Sequence, residues 1–189
     1  ENNINAGDLK SLAFHARQRG VDASGLVTQS NKNTDIYRAD AGIDKLLKKV
    51  NINNKNLVLG HSRLVTNGFV DNQPVYRDDL ILIHNGIVTN CDDLWTNNRI
   101  RKQSIDSEII PVIFSEAIKA GQTIEQAVQK VFYECEGVIS AALYSLKLSK
   151  LILLSNNGSL YYGNKNSQIG FSSEEWPLVD TNFQNIRQL

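Results

Sequence analysis

Two helical stretches stand between two blocks of short apolar runs, and this order restricts the architecture more than any other feature. The stretches "SIDSEIIPVIFSEAIKAG" and "TIEQAVQKVFYEC" carry helical signals. The first has start signals at Ser104 or Asp106, Pro111 near its first turn and a stop at Gly121. The second pairs Thr123 as N-cap with Gln126 three residues on, a capping-box spacing. Before them, residues 6–19 have helical spacing, "GIDKLLKKV" reads as a short helix, and "GLVTQS", "TDIYRA" and "NLVLGHSRL" read as strands. After them, "VISAALYSL", "KLILLSN", "SLYYGN" and "QIGFSS" read as an antiparallel meander, with turns at Asn156-Asn157-Gly158 and Gly163-Asn164. Strands, central helices and strands again imply an α+β domain of layered sheets and helices.

The 189 residues suit one domain with a full core. Lys+Arg and Asp+Glu balance at 20 each, so the chain carries no electrostatic footprint for nucleic acid or an anionic membrane. No apolar run reaches the ~18–20 residues that span a bilayer. Two cysteines, Cys91 and Cys135, are too few for a disulfide scaffold, which points to the reducing cytoplasm. The chain starts "ENNINAG" with no Met and stops at "NIRQL", so it is expected to be a piece of a longer protein.

"LILIHNGIVTN" (80–90) invites two readings. Apolar residues run up to Asn85-Gly86 and resume after it, the pattern of a β-hairpin with a two-residue turn. The same pair could instead form an oxyanion hole from the Asn85 amide and the Gly86 backbone N–H. Polar residues gather where strands end: His61, Ser62, Arg63, Thr66, Asn67, His84, Asn85 and then Asp106. Arg63 and Asp106 could form a structural ion pair. Held apart, they could grip the carboxylate and ammonium of an α-amino acid. The histidines at 15, 61 and 84 and the two cysteines lack metal-ligand spacing, so no metal or cofactor is expected. His61 and His84 are expected to orient loops. Cys91 with a histidine would be a thiol hydrolase, a weaker candidate because Cys91 opens the polar segment "CDDLWTNN".

In order and spacing, "RGVDASG" (19–25), "GHSRLVTNG" (60–68), "NQPV" (72–75), "HNGIVTN" (84–90) and "DSE" (106–108) resemble the class II glutamine amidotransferase domain of the N-terminal-nucleophile hydrolase superfamily. The tail "FSSEEWPLV…FQNIRQL" resembles the segment where that domain ends and a synthase begins. The resemblance implies an αββα four-layer fold, two antiparallel sheets lying between helical layers. It covers nearly all of 1–189. It implies that Arg63 binds the glutamine α-carboxylate with Thr66 nearby, that Asp106 binds the α-ammonium, and that Asn85 and Gly86 form the oxyanion hole. His84, Asn67 and Gly68 fall among the substrate-binding residues, and 67–75 would form a loop closing over glutamine. Arg19 and Gly20 would lie near the nucleophile. Leu64 and Asn67 depart from the sugar-amidating members, where an aromatic and His are usual. The family's nucleophile is an N-terminal Cys, here expected about ten residues upstream of Glu1. The implied partners are L-glutamine and a fused or separate synthase that accepts ammonia, with a homo-oligomer allowed and neither nucleic acid nor membrane. The alternatives are a catalytically inactive glutamine-binding regulatory domain and an N-terminal-nucleophile hydrolase acting on another amide.

Overall fold

The computed structural model describes residues 4–31, 33–64, 72–96 and 98–189. Along the chain run α1 (Ala6–Arg17), β1 (Ala23–Gln29), β2 (Thr34–Ala39), α2 (Ile43–Leu47), β3 (Leu57–Arg63), β4 (Val75–Arg77) and β5 (Leu80–Val88). Next come α3 (Ile109–Lys119), α4 (Ile124–Glu134), β6 (Gly137–Ser145), β7 (Lys150–Ser155), β8 (Tyr161–Lys165), β9 (Gln168–Ser172), α5 (Trp176–Asp180) and β10 (Gln184–Gln188). Single 3₁₀ turns occupy Cys91–Leu94 and Asp106–Glu108. The described residues group into two compact units, one holding 4–64, 72–74 and 159–189, the other 75–158.

In the first unit, β1 is the centre of an antiparallel sheet ordered β2-β1-β3. Leu26 faces Ala13, Ile43, Leu46, Leu47 and Val50, so α1 and α2 supply the core on one face. Asn5 caps α1 by accepting from the Gly7 and Asp8 amides at 2.8 and 3.1 Å. Gly20 is fixed by close approach. A Cβ there would lie 2.2 Å from both the Arg63 carbonyl carbon and the Leu64 nitrogen, so only glycine lets the "RG" turn pass the end of β3. A second sheet, ordered β10-β8-β9, completes the unit. Lys165 joins it to α1, reaching both Asp8 oxygens at 2.8 and 2.9 Å and the Thr181 carbonyl at 2.8 Å.

The second unit is one antiparallel sheet, β4-β5-β6-β7, with α3 and α4 against one face. Even-numbered β5 residues Leu80, Leu82 and Val88 and odd-numbered β6 residues Ile139, Ala141 and Leu143 meet Ile109, Ile110, Ile113, Phe114 and Val131. Full burial of each such large side chain contributes about 1.5–3 kcal/mol, which pins the register. The capping box forms: Thr123 N donates to Gln126 Oε1 at 2.9 Å and Gln126 N to Thr123 Oγ1 at 3.2 Å. Gly121 ends α3 with φ +82.

Two local expectations are corrected. "LILIHNGIVTN" is not a hairpin. β5 runs unbroken through Asn85 and Gly86, which pair with Ser140 and Ile139 of β6. The meander is also divided: β6 and β7 end the second unit's sheet, whereas β8 and β9 belong to the first. The β8–β9 turn falls at Asn166-Ser167, where Asn166 takes φ +54, because Gly163 and Asn164 are strand residues paired with Gly170 and Ile169.

Candidate active site

Strand alternation aims the groups around Asn85. In an antiparallel pair, alternate residues turn both N–H and C=O toward the partner. The Thr89 amide donates to the Glu136 carbonyl in the β5–β6 register, so odd-numbered residues of β5 face β6. Gly86 and Val88 therefore direct their amides to the opposite edge. There the Val88 N–H donates to Asp106 Oδ2 at 2.8 Å. β4 covers that edge only at Leu80–Leu82. Two residues of strand separate the Gly86 and Val88 amides, about 6.8 Å. An exposed N–H and a half-buried carboxylate thus share one strand edge. Asn85 is exposed on the face opposite the helices, and its amide makes no hydrogen bond among the described residues.

Gly86 has φ +151, and a Cβ there would lie 1.9 Å from the Val138 oxygen and 2.7 Å from His84 Nε2. No other residue fits that backbone without moving β6. His84, 2% exposed, lies on the helical side of β5. Its Nε2 is 3.1 Å from the Val138 carbonyl and its Nδ1 is 2.8 Å from Ser107 Oγ. Burial pushes its pKa down, outweighing the Val138 hydrogen bond and the Asp106 charge, which raise it. His84 is therefore neutral near pH 7. It packs beneath the strand, within β5 rather than in a loop.

A buried ion pair fixes the "DSE" turn. Glu108 is 0% exposed and accepts from Arg77 Nη1, from the Lys102 amide at 3.0 Å and from the Gln103 amide at 2.8 Å. Arg77 also donates to the Ile100 carbonyl at 2.8 Å. Sequence reasoning missed this pair. An arginine ending the apolar-flanked strand "VYR" was its signal, the same one that drew notice to Arg63. Ser107 was missed too, because its partner lies 23 residues away in sequence.

The remaining candidates fall as follows. Arg63 ends β3, paired in register with Ala23. Thr66, Asn67 and Gly68 lie outside the described residues. Of the expected closing loop, 72–75 is described. Arg38 donates to the Asn72 and Pro74 carbonyls at 3.1 and 3.0 Å, Asn72 Nδ2 donates to the Ser24 carbonyl at 3.2 Å, and Gly25 admits the Gln73 oxygen where a Cβ would lie 2.1 Å away. These contacts clamp "NQPV" onto β1 and β2. Arg19 pairs with Glu174 at 2.7 Å and His15 with Asp180 at 2.9 Å. Cys91 and Cys135 are buried free thiols. Burial raises both pKa values, that of Cys135 to about 12. Neither thiol is poised to attack a carbonyl.

The fold is the α+β N-terminal-nucleophile hydrolase fold, with antiparallel sheets. The chain aligns with a glutamine phosphoribosylpyrophosphate amidotransferase from B. subtilis at a TM-score of 0.75 and 19% identity, covering 96% of this chain and 42% of that one. A structure described as the allosteric regulatory enzyme of purine biosynthesis gives 0.74 and 18%, with the same coverage. A model of the glutamine amidotransferase domain matches residues 61–180, and the chain belongs to that family. It is similar to the isomerizing glutamine–fructose-6-phosphate aminotransferase of Thermococcus kodakarensis, 27% identical over 167 residues. It is also similar to that of Zymomonas mobilis, 26% identical over 184. Those alignments cover 82% and 88% of this chain but 27% and 30% of the relatives, so the chain spans less than a third of their length. No described helix is long and apolar enough to cross a membrane.

Proposed function

We propose that this domain hydrolyses L-glutamine to glutamate and ammonia, and that the ammonia passes to a synthase domain or partner. The observation that carries the reading is the end of β5: an exposed Asn85 amide on the sheet face, with a Gly86 N–H turned away from β6 and the Asp106 carboxylate bound at Val88 along the adjoining edge. Asn85 Nδ2 and Gly86 N–H serve as the oxyanion hole. Asp106 keeps Oδ1 toward the glutamine ammonium while Val88 holds Oδ2. Arg63 takes the α-carboxylate through its bidentate fork. Thr66, Asn67 and Gly68 contribute to substrate binding.

The attacking thiol is assigned to an N-terminal Cys upstream of Glu1, a choice favoured by the burial of Cys91 and Cys135. Its thiolate attacks the side-chain amide carbon, and its own α-amine takes and returns the proton. The tetrahedral oxyanion forms against Asn85 and Gly86, ammonia leaves, and water clears the thioester. The free thiols suit a reducing cytoplasm. The acceptor could be a sugar phosphate, aspartate or a phosphoribosyl compound. Glutamine binding by calorimetry on the full-length protein tests the assignment. Arg63→Ala and Asp106→Ala should each weaken binding by ~2–5 kcal/mol, and Arg63→Lys should restore only part. Normal binding by both alanine variants would refute it. An upstream coding sequence without a Cys that processing can expose would leave a glutamine-binding domain without hydrolysis.

A further inference from the structure

Ser107 is 1% exposed and takes no part in the proposed hydrolysis. Its hydroxyl lies 2.8 Å from His84 Nδ1 and 3.3 Å from Asp106 Oδ1. The other His84 nitrogen, Nε2, lies 3.1 Å from the Val138 carbonyl. A carbonyl oxygen only accepts, so Nε2 carries the ring proton. In the neutral ring Nδ1 is then a bare lone pair, and Ser107 must donate to it. The serine has one proton, so Asp106 Oδ1 does not receive it. Nε2 and the Val138 oxygen are also the atoms nearest to where a Gly86 side chain would stand. The ring and that carbonyl together form the surface against which Gly86 packs.

We propose that Ser107 is a positioning residue: by donating to Nδ1 it holds His84 as the Nε2–H tautomer against Val138, and this seats the Gly86 amide for the oxyanion. The inference rests on the glutaminase reading. Ser107 touches neither substrate nor the reacting atoms. Its effect arises through Gly86, which binds charge that develops only in the transition state, so it belongs in kcat rather than KM.

The test uses the full-length protein with Ser107→Ala, Ser107→Thr and Asn85→Asp prepared in parallel. Ser107→Ala should lower kcat by roughly 10- to 100-fold, less than the ~10²–10³-fold loss on removing a donor itself, with KM for glutamine within about twofold. Ser107→Thr keeps the hydroxyl and should recover most of kcat. Ring ¹⁵N spectra should show His84 protonated at Nε2 in the parent and in Ser107→Thr, and a mixture of tautomers in Ser107→Ala. Should Ser107→Ala fail to fold, Ser107→Cys, a weaker donor, should give the intermediate kcat. Unchanged kcat in Ser107→Ala, a pure KM effect, or an unmoved tautomer would overturn the proposal. Full turnover in Asn85→Asp would instead sink the glutaminase reading itself, whatever Ser107 does.

Discussion

Replacing Gly86 by Ala tests the placement of the Asn-Gly pair inside a strand. The new methyl meets two costs. Holding a non-glycine residue at φ +151 costs about 1–3 kcal/mol. The methyl would also lie 1.9 Å from the Val138 oxygen, too close to be relieved by a side-chain rotation, because the obstacle is backbone. Overpacking of this kind costs about 1–3 kcal/mol more. Alanine's stiffer unfolded chain returns about 0.4–1 kcal/mol. The net loss is about 1–5 kcal/mol, a fall in Tm of at least ~2 °C at this size. Gly121→Ala is the internal control. It also has positive φ, +82, but nothing lies within 4 Å of its added Cβ. Thermal unfolding by circular dichroism should show Gly86→Ala losing clearly more than Gly121→Ala. A hairpin turn at 85–86 would subject both to backbone strain alone, so equal losses would refute the strand placement.

Glu108→Ala strands the buried Arg77 and should cost about 3–5 kcal/mol by denaturant unfolding, with Glu108→Gln losing less. The His84 pKa is lowered by burial, so its neutral form contributes stability that is present above the unfolded value near 6.5 and is lost as pH falls below it. Unfolding free energies between pH 7.5 and 5.5 should fall in the parent and stay flatter in His84→Gln, above the carboxylate range where Glu116 and Asp180 act. Cys91 and Cys135 should resist alkylation in the folded protein, and Cys91→Ala should keep glutaminase activity in the full-length protein. Loss of turnover in Cys91→Ala would revive a thiol hydrolase built on Cys91.

Local patterns were legible wherever short-range chemistry decides. Thr123 and Gln126 declare a helix start within four residues, and Gly121 declares a stop. Asn85-Gly86 misled because the property that makes a glycine good in a turn, freedom at positive φ, is also what lets β5 pass the Val138 carbonyl. Only the β5–β6 register, a contact across some fifty residues, separates the two uses. The division of the meander escaped for a similar reason. Nothing within "KLILLSN" or "SLYYGN" says that β7 pairs with β6 while β8 turns to β9 and β10. What could be read of the candidate site was residue types at motif spacing, and of these the Asp106 carboxylate meets the β5 edge toward which Gly86 and Val88 turn their amides. Its supports could not be read, because Ser107 and Glu108 draw their roles from His84 and Arg77, far away along the chain.

The central claim is that Asn85 donates to an oxyanion, and Asn85→Asp tests it most directly. The change is nearly isosteric at an exposed side chain with no hydrogen bond among the described residues, so the fold should be indifferent to it. In the site it replaces a donor with an anionic acceptor facing the developing charge. Glutaminase turnover and thermal unfolding are measured on one preparation of the full-length protein. The expected result is a Tm close to that of the parent with kcat lower by at least ~10²-fold. A stable Asn85→Asp protein with undiminished kcat would contradict the account.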